Sequence, residues 1–112
     1  MPAVDFFYAR PGCESCEKTR ALLDDRGVAI RAERSTREPL TEAEVVKLLA
    51  GVSEVWISRG QKIEKKPAKE TEPAELLGPT GKFRAPMLRR GQTLLVGFNV
   101  PSLEELVNGA GA

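Results

Sequence analysis

Apolar residues change their spacing several times along this chain, and each change marks an element. Residues 4–9, Val-Asp-Phe-Phe-Tyr-Ala, form a short aromatic-rich run ended by Pro11-Gly12, the pattern of a buried first strand. Cys16, Thr19, Leu22, Leu23 and Arg26 then recur at helical spacing. This predicts a helix over 14–26, with Cys13 at its N-cap and Gly27 just past its end. Val28, Ile30 and Ala32 alternate with Ala29, Arg31 and Glu33, which predicts a second strand over 28–33. Strand, helix and strand in about 30 residues make a βαβ unit with parallel strands.

The middle of the chain reads differently. Thr41-x-x-Glu44 is a capping box, and Val45, Val46, Leu48 and Leu49 line a helix that Gly51 ends. Residues 52–58, around Trp56, are expected to be another short helical piece. The polar, basic stretch 61–70 is expected to be an exposed loop, and 71–78 a short capped helix. Two short strands follow, 86–89 and 93–96, joined at Arg90-Gly91-Gln92 as an antiparallel hairpin. Gly97-Phe98-Asn99 ends the second strand. Ser102-x-x-Glu105 reads as a second capping box opening a last helix through Val107, and the 109–112 tail is expected to fray. The order is β-α-β, a helical middle, then β-β-α. It predicts an α/β domain of thioredoxin-like fold, with a mixed four-stranded sheet. A single domain over 1–112 would carry a helical subdomain inserted at about 36–82.

A length of 112 residues, 41% hydrophobic, suits one modest core. The formal charge of +1 gives no reason to expect nucleic acid or an anionic membrane as partner. No apolar run approaches the ~20 residues of a membrane span, and the opening residues lack the basic and apolar regions of a signal peptide. A cytoplasmic monomer is expected.

The chemistry concentrates in two cysteines, Cys13 and Cys16, and there is no histidine. So short a loop would stabilise the fold little as a disulfide. A zinc site wants four ligands, of which this pair supplies half. Redox chemistry fits better. A helix N-terminus stabilises a thiolate through free N–H groups and the helix dipole. Cys13 is therefore the expected nucleophile and Cys16 the resolving thiol. Arg10, Lys18 and Arg20 should lower the Cys13 pKa, opposed by Glu14 and Glu17. In the thioredoxin fold, the position of Pro86 holds a cis proline, and Ala85 before it offers backbone groups to an extended substrate.

Four segments carry a resemblance: Tyr8-Ala-Arg-Pro-Gly-Cys-Glu-Ser-Cys-Glu-Lys-Thr-Arg-Ala-Leu-Leu, Trp56-Ile-Ser-Arg-Gly, Arg84-Ala-Pro-Met-Leu and Leu95-Val-Gly-Phe-Asn. Together they resemble the glutaredoxin-linked arsenate reductase and Spx family over about residues 4–107. The resemblance implies a thiol–disulfide oxidoreductase that needs no bound cofactor. Its electrons would come from glutathione or a thioredoxin- or glutaredoxin-type donor, and a protein disulfide is a further expected substrate. Arsenate reductases of the family hold the oxyanion with arginines, for which Arg59 and Arg84 are the counterparts here. Spx-type members are redox switches that bind RNA polymerase. Gly97 and Phe98 correspond to a turn that borders the thiol-binding groove in glutaredoxin-like proteins. The chain departs from the arsenate reductase pattern. It has a second cysteine, no histidine, Ala85 where an arginine directly precedes the proline, and Phe98 near the place of a third arginine.

Overall fold

The computed structural model describes residues 3–108 other than Gly60 and Thr80. The 109–112 tail, expected to fray, lies outside the described residues. The predicted first strand divides into β1 (Ala3–Val4) and β2 (Phe6–Ala9). Asp5 lies between them, and its carboxylate accepts the Gly91 N–H at 2.7 Å. α1 (Glu14–Asp25) follows, with Cys13 as N-cap and Gly27 at φ 69° beyond its end. The predicted second strand also divides, into β3 (Ala29–Ile30) and β4 (Glu33–Ser35). β1 pairs with β3, and β2 with β4, both in parallel.

α2 (Glu42–Ala50) has the predicted capping box: Thr41 accepts the Glu44 N–H, and Glu44 accepts the Thr41 N–H. Beyond it the structure corrects the helical reading. The segment around Trp56 is a strand, β5 (Glu54–Arg59), and most of the expected loop is its antiparallel partner β6 (Lys62–Pro67). The expected helix at 71–78 is only a short 3-10 turn, Pro73–Leu76, preceded by another at Ala68–Glu70. Among the described residues the 36–82 region is therefore one α-helix, two antiparallel strands and two 3-10 turns, not a helical subdomain.

β7 (Met87–Arg90) and β8 (Thr93–Val96) form the predicted hairpin. α3 (Val100–Val107) closes the chain, but its N-cap is Asn99, whose side chain accepts the Ser102 N–H at 2.9 Å. Ser102 is buried inside the helix and is not its cap.

The main sheet has six strands, not four, in the order β4-β2-β7-β8-β5-β6. β5 adds in parallel to β8, so the middle of the chain widens the sheet by two strands. Strand alternation divides the core into two layers. Phe7, Leu88, Leu95 and Trp56 pack on one face with Leu23 of α1 and Leu103 and Leu106 of α3. Tyr8, Met87, Leu94, Val96, Val55 and Ile57 pack on the other with Val45 and Leu49 of α2. The result is a compact α/β domain with helices on both faces of a mixed sheet, and a radius of gyration of 12.6 Å that matches a single domain of this length. Adjacent arginines on β7 serve opposite faces. Arg89 donates to the Gly51 carbonyl at the end of α2, and Arg90 to Leu106 O near the end of α3. Among the described residues no helix is long and apolar enough to cross a membrane.

Candidate active site

Strands β2, β4, β5 and β8 run in the same direction, so their carboxyl ends share one edge of the sheet. Ligands of α/β sheets bind outside such an edge. Register brings the singled-out residues to it. Tyr8 pairs with Met87 and Met87 with Val96, so Ala9, Pro86 and Gly97 follow one another across the next row. Ile57 pairs with Val96, which brings Ser58 and Arg59 to the same end.

The Cys13–Cys16 pair opens α1 directly after β2. Gly12, at φ 70°, makes the turn that ordinary side chains resist. Cys13 then takes the extended N-cap conformation, and its Sγ accepts the Cys16 N–H at 3.3 Å. The sulfur fills the place of a capping oxygen. Cys16 Sγ in turn accepts the Arg10 N–H at 3.3 Å. Both thiols are free.

These contacts divide the two sulfurs chemically. Burial pushes the Cys13 thiol up, but the Cys16 thiol and N–H hydrogen bonds and the Arg10 charge outweigh it, and the pKa falls below the usual 9.0. Burial dominates at Cys16. The hydrogen bond and charge from Cys13 add to it against the Arg10 N–H, and the pKa rises to about 11. Of the cations expected to help Cys13, only Arg10 does so. Lys18 pairs with Glu14 at 2.9 Å, and Arg20 grips both oxygens of Glu33. Neither sulfur stands in the open: Cys13 is 5% and Cys16 3% exposed. Cys16 borders a pocket of about 210 Å³ beside Arg20 and Glu33. Cys13 belongs to the apolar cluster of Trp56 and Leu103, against which Ala85 and Phe98 pack.

The Ala85–Pro86 peptide is cis, as expected. The Gly97 N–H donates to the Pro86 carbonyl at 2.8 Å, so the two turns are tied together. Gly97, at φ 91°, has no room for a side chain: a Cβ there would lie 2.8 Å from Arg84 Nη2 and 2.9 Å from Ser58 Cβ. Arg84 is half-buried and donates to the Ser58 carbonyl at 2.7 Å, while the Ser58 hydroxyl donates to Phe98 O at 3.2 Å. Burial, and then the Arg59 charge, hold the Arg84 pKa below its ordinary value. Arg59 lies at the same end, but its side chain is 53% exposed and pairs with Glu64 at 3.0 Å. Ser58, which ties Arg84 to Phe98, had no signal in the sequence beyond its place next to Arg59. Among the described residues no group of His, Cys, Asp and Glu side chains could hold a metal ion.

A scan against protein-family models gives no match, and neither does a search of the curated proteins.

Proposed function

We propose that this protein is a thiol–disulfide oxidoreductase of thioredoxin-like fold, of the arsenate reductase-like type its motifs resemble. One observation carries the reading: Cys13 caps α1 with its sulfur hydrogen-bonded to the Cys16 N–H, its pKa below the usual value and that of Cys16 above it. The strand order β4-β2-β7-β8 around it, with α1 linking the two parallel strands, supports the fold.

The chemistry balances as a two-step exchange. The Cys13 thiolate attacks one sulfur of a substrate disulfide, the substrate S–S bond breaks, and the departing thiolate takes a proton from solvent. Cys16 then loses its proton and attacks Cys13 Sγ, releasing the second substrate thiol and leaving a Cys13–Cys16 disulfide. A small thiol or a dithiol protein donor returns the two electrons. Burial first, and then the hydrogen bond and charge of Cys13, keep Cys16 protonated; the part due to Cys13 is gone once the mixed disulfide forms, and Cys16 gives its proton to solvent as it attacks.

The test is reduction of an insulin or mixed-disulfide substrate by the protein and its Cys13→Ser variant. Turnover should disappear in the variant, and undiminished turnover would falsify the assignment.

A second reading, reduction of arsenate, is favoured by one feature. Arg84 is a half-buried guanidinium with no carboxylate partner among the described residues, and Arg59 lies near enough to depress its pKa. An oxyanion can draw on both, with Arg59 exchanging its exposed pairing with Glu64 for the anion. Arg59→Ala should raise the KM for arsenate in a coupled thiol-oxidation assay, and an unchanged KM removes this reading.

A further inference from the structure

A second cleft, of about 420 Å³, opens beside Ala85 on the side of the sheet away from the cysteine cluster. Its walls include the Tyr8 and Phe83 rings, and three cations line it: Arg10, Lys82 and Arg84. No acidic residue lines the cleft, and among the described residues none of the three cations has a carboxylate within 4.0 Å. Elsewhere on this surface many cations are matched, such as Arg20 with Glu33, Arg26 with Glu104, Arg34 with Glu44, Lys65 with Glu105 and Lys66 with Glu75. Arg37, Lys47, Lys62 and Lys69, unmatched among the described residues, line no part of this cleft. Three unmatched cations around one concavity make a field that draws anions and suppresses the binding of cations.

Position turns this field into a specificity device. Arg10 is shared between the cleft and the thiols, since its N–H donates to Cys16 Sγ, its charge acts on Cys13 and the residue borders the cleft. Ala85 is shared as well, because it lines the cleft and packs against the cysteine cluster. A polypeptide whose cysteine reaches Cys13 past Ala85 would carry its neighbouring side chain into the cleft. We infer that the cleft selects disulfide substrates in which an acidic side chain lies next to the reactive cysteine. The acidic carboxylate meets Lys82 and Arg10 at the rim and its methylenes lie on the half-buried Phe83 ring. The inference rests on the thiol–disulfide reading and names its substrate class. The reaction is the exchange already written: substrate disulfide plus two protein thiols gives two substrate thiols and the Cys13–Cys16 disulfide, which dithiothreitol reduces again.

The test uses three short peptides that differ only in the residue beside their single cysteine, Glu, Gln or Lys, each supplied as its disulfide-linked dimer. With dithiothreitol as reductant and its uncatalysed rate subtracted, kcat/KM should fall in the order Glu, Gln, Lys. The ends should differ about tenfold, the scale of one charge-assisted contact. Added salt should narrow the ratio. In Lys82→Glu, an exposed position where folding is not at stake, two cations remain against one new carboxylate, so the Glu-to-Lys ratio should shrink several-fold without the order reversing. Equal kcat/KM for the three peptides, or a Glu-to-Lys ratio in Lys82→Glu as large as in the parent, overturns the inference and leaves the thiol reading standing. If none of the dimers is reduced and Cys13 forms no mixed disulfide with any peptide, the thiol reading itself falls, and this inference with it.

Discussion

Cys13 and Cys16 lie three residues apart, and the backbone sets their difference. An N-cap residue faces free N–H groups, and here the one that points at sulfur belongs to Cys16. A residue one turn further in meets helix and apolar side chains, and its charged form loses water for the single Arg10 N–H, which burial outweighs. The pH dependence follows from these two directions. The Cys13 thiolate grows as pH rises through a value below 9.0, whereas Cys16 remains protonated until about 11. Iodoacetamide at neutral pH should therefore modify Cys13 well before Cys16, as read by peptide mass spectrometry. Equal labelling of the two sulfurs would contradict the division. The helix, the cysteine that caps it and the second cysteine one turn further in could all be read from Cys-Glu-Ser-Cys following a strand and a Pro-Gly turn. The part played by Arg10 could be read only in part. Its charge is visible in the sequence, but its N–H on Cys16 Sγ depends on how the turn closes. The expected help from Lys18 and Arg20 failed because Glu14 and Glu33 claim them, and Glu33 comes from a different strand.

Elements were legible where their pattern is local. The capping box of α2 is such a case, and it makes a prediction of its own. The Arg34 guanidinium first, and then the Thr41 N–H, hold the Glu44 carboxyl down at about 2, from an ordinary 4.5. A depressed folded-state pKa contributes stability that is complete above 4.5 and is lost as pH falls toward 2. Glu44→Gln should flatten that part of the acid-denaturation curve followed by circular dichroism, and a curve identical to the parent's would contradict this account. β5 and β6 were not legible. Val52-Ser-Glu-Val-Trp-Ile-Ser has apolar residues on both faces because both faces of β5 are covered, and such a run has no strand alternation to find. β6 presents the opposite difficulty. It is an edge strand of lysines and glutamate in which Ile63 alone is apolar before Pro67, and it is a strand because β5 supplies its hydrogen bonds.

Across the whole molecule the two apolar layers share one sheet, and adjacent residues of β8 belong to different layers. Leu94 faces α2 and Leu95 faces α1 and α3, and both are essentially buried. Leu94→Ala and Leu95→Ala should each cost about 2–5 kcal/mol, the range for emptying a buried leucine site. Each should shift the same single urea transition, because β8 cannot lose one face and keep the other. Separate transitions for the two variants would show that the layers unfold independently. The parallel pairing of β2 with β4 and the antiparallel pairing of β7 with β8 could be read, since those strands come from the two ends of the chain where the pattern was clear. The two-strand extension could not, because it depends on a pairing between β5 and β8 separated by more than thirty residues.

The chain has one tryptophan, and the fold puts it in the layer that holds both sulfurs. Lys65 lies over the Trp56 ring at 4.1 Å, and the indole N–H donates to Glu54 at 2.5 Å, so the ring is pinned from two sides. Indole emission responds to nearby sulfur, and a pinned ring has little other reason to change its spectrum. Formation of the proposed Cys13–Cys16 disulfide should therefore register in the emission of Trp56, readable in a cuvette with no dye attached.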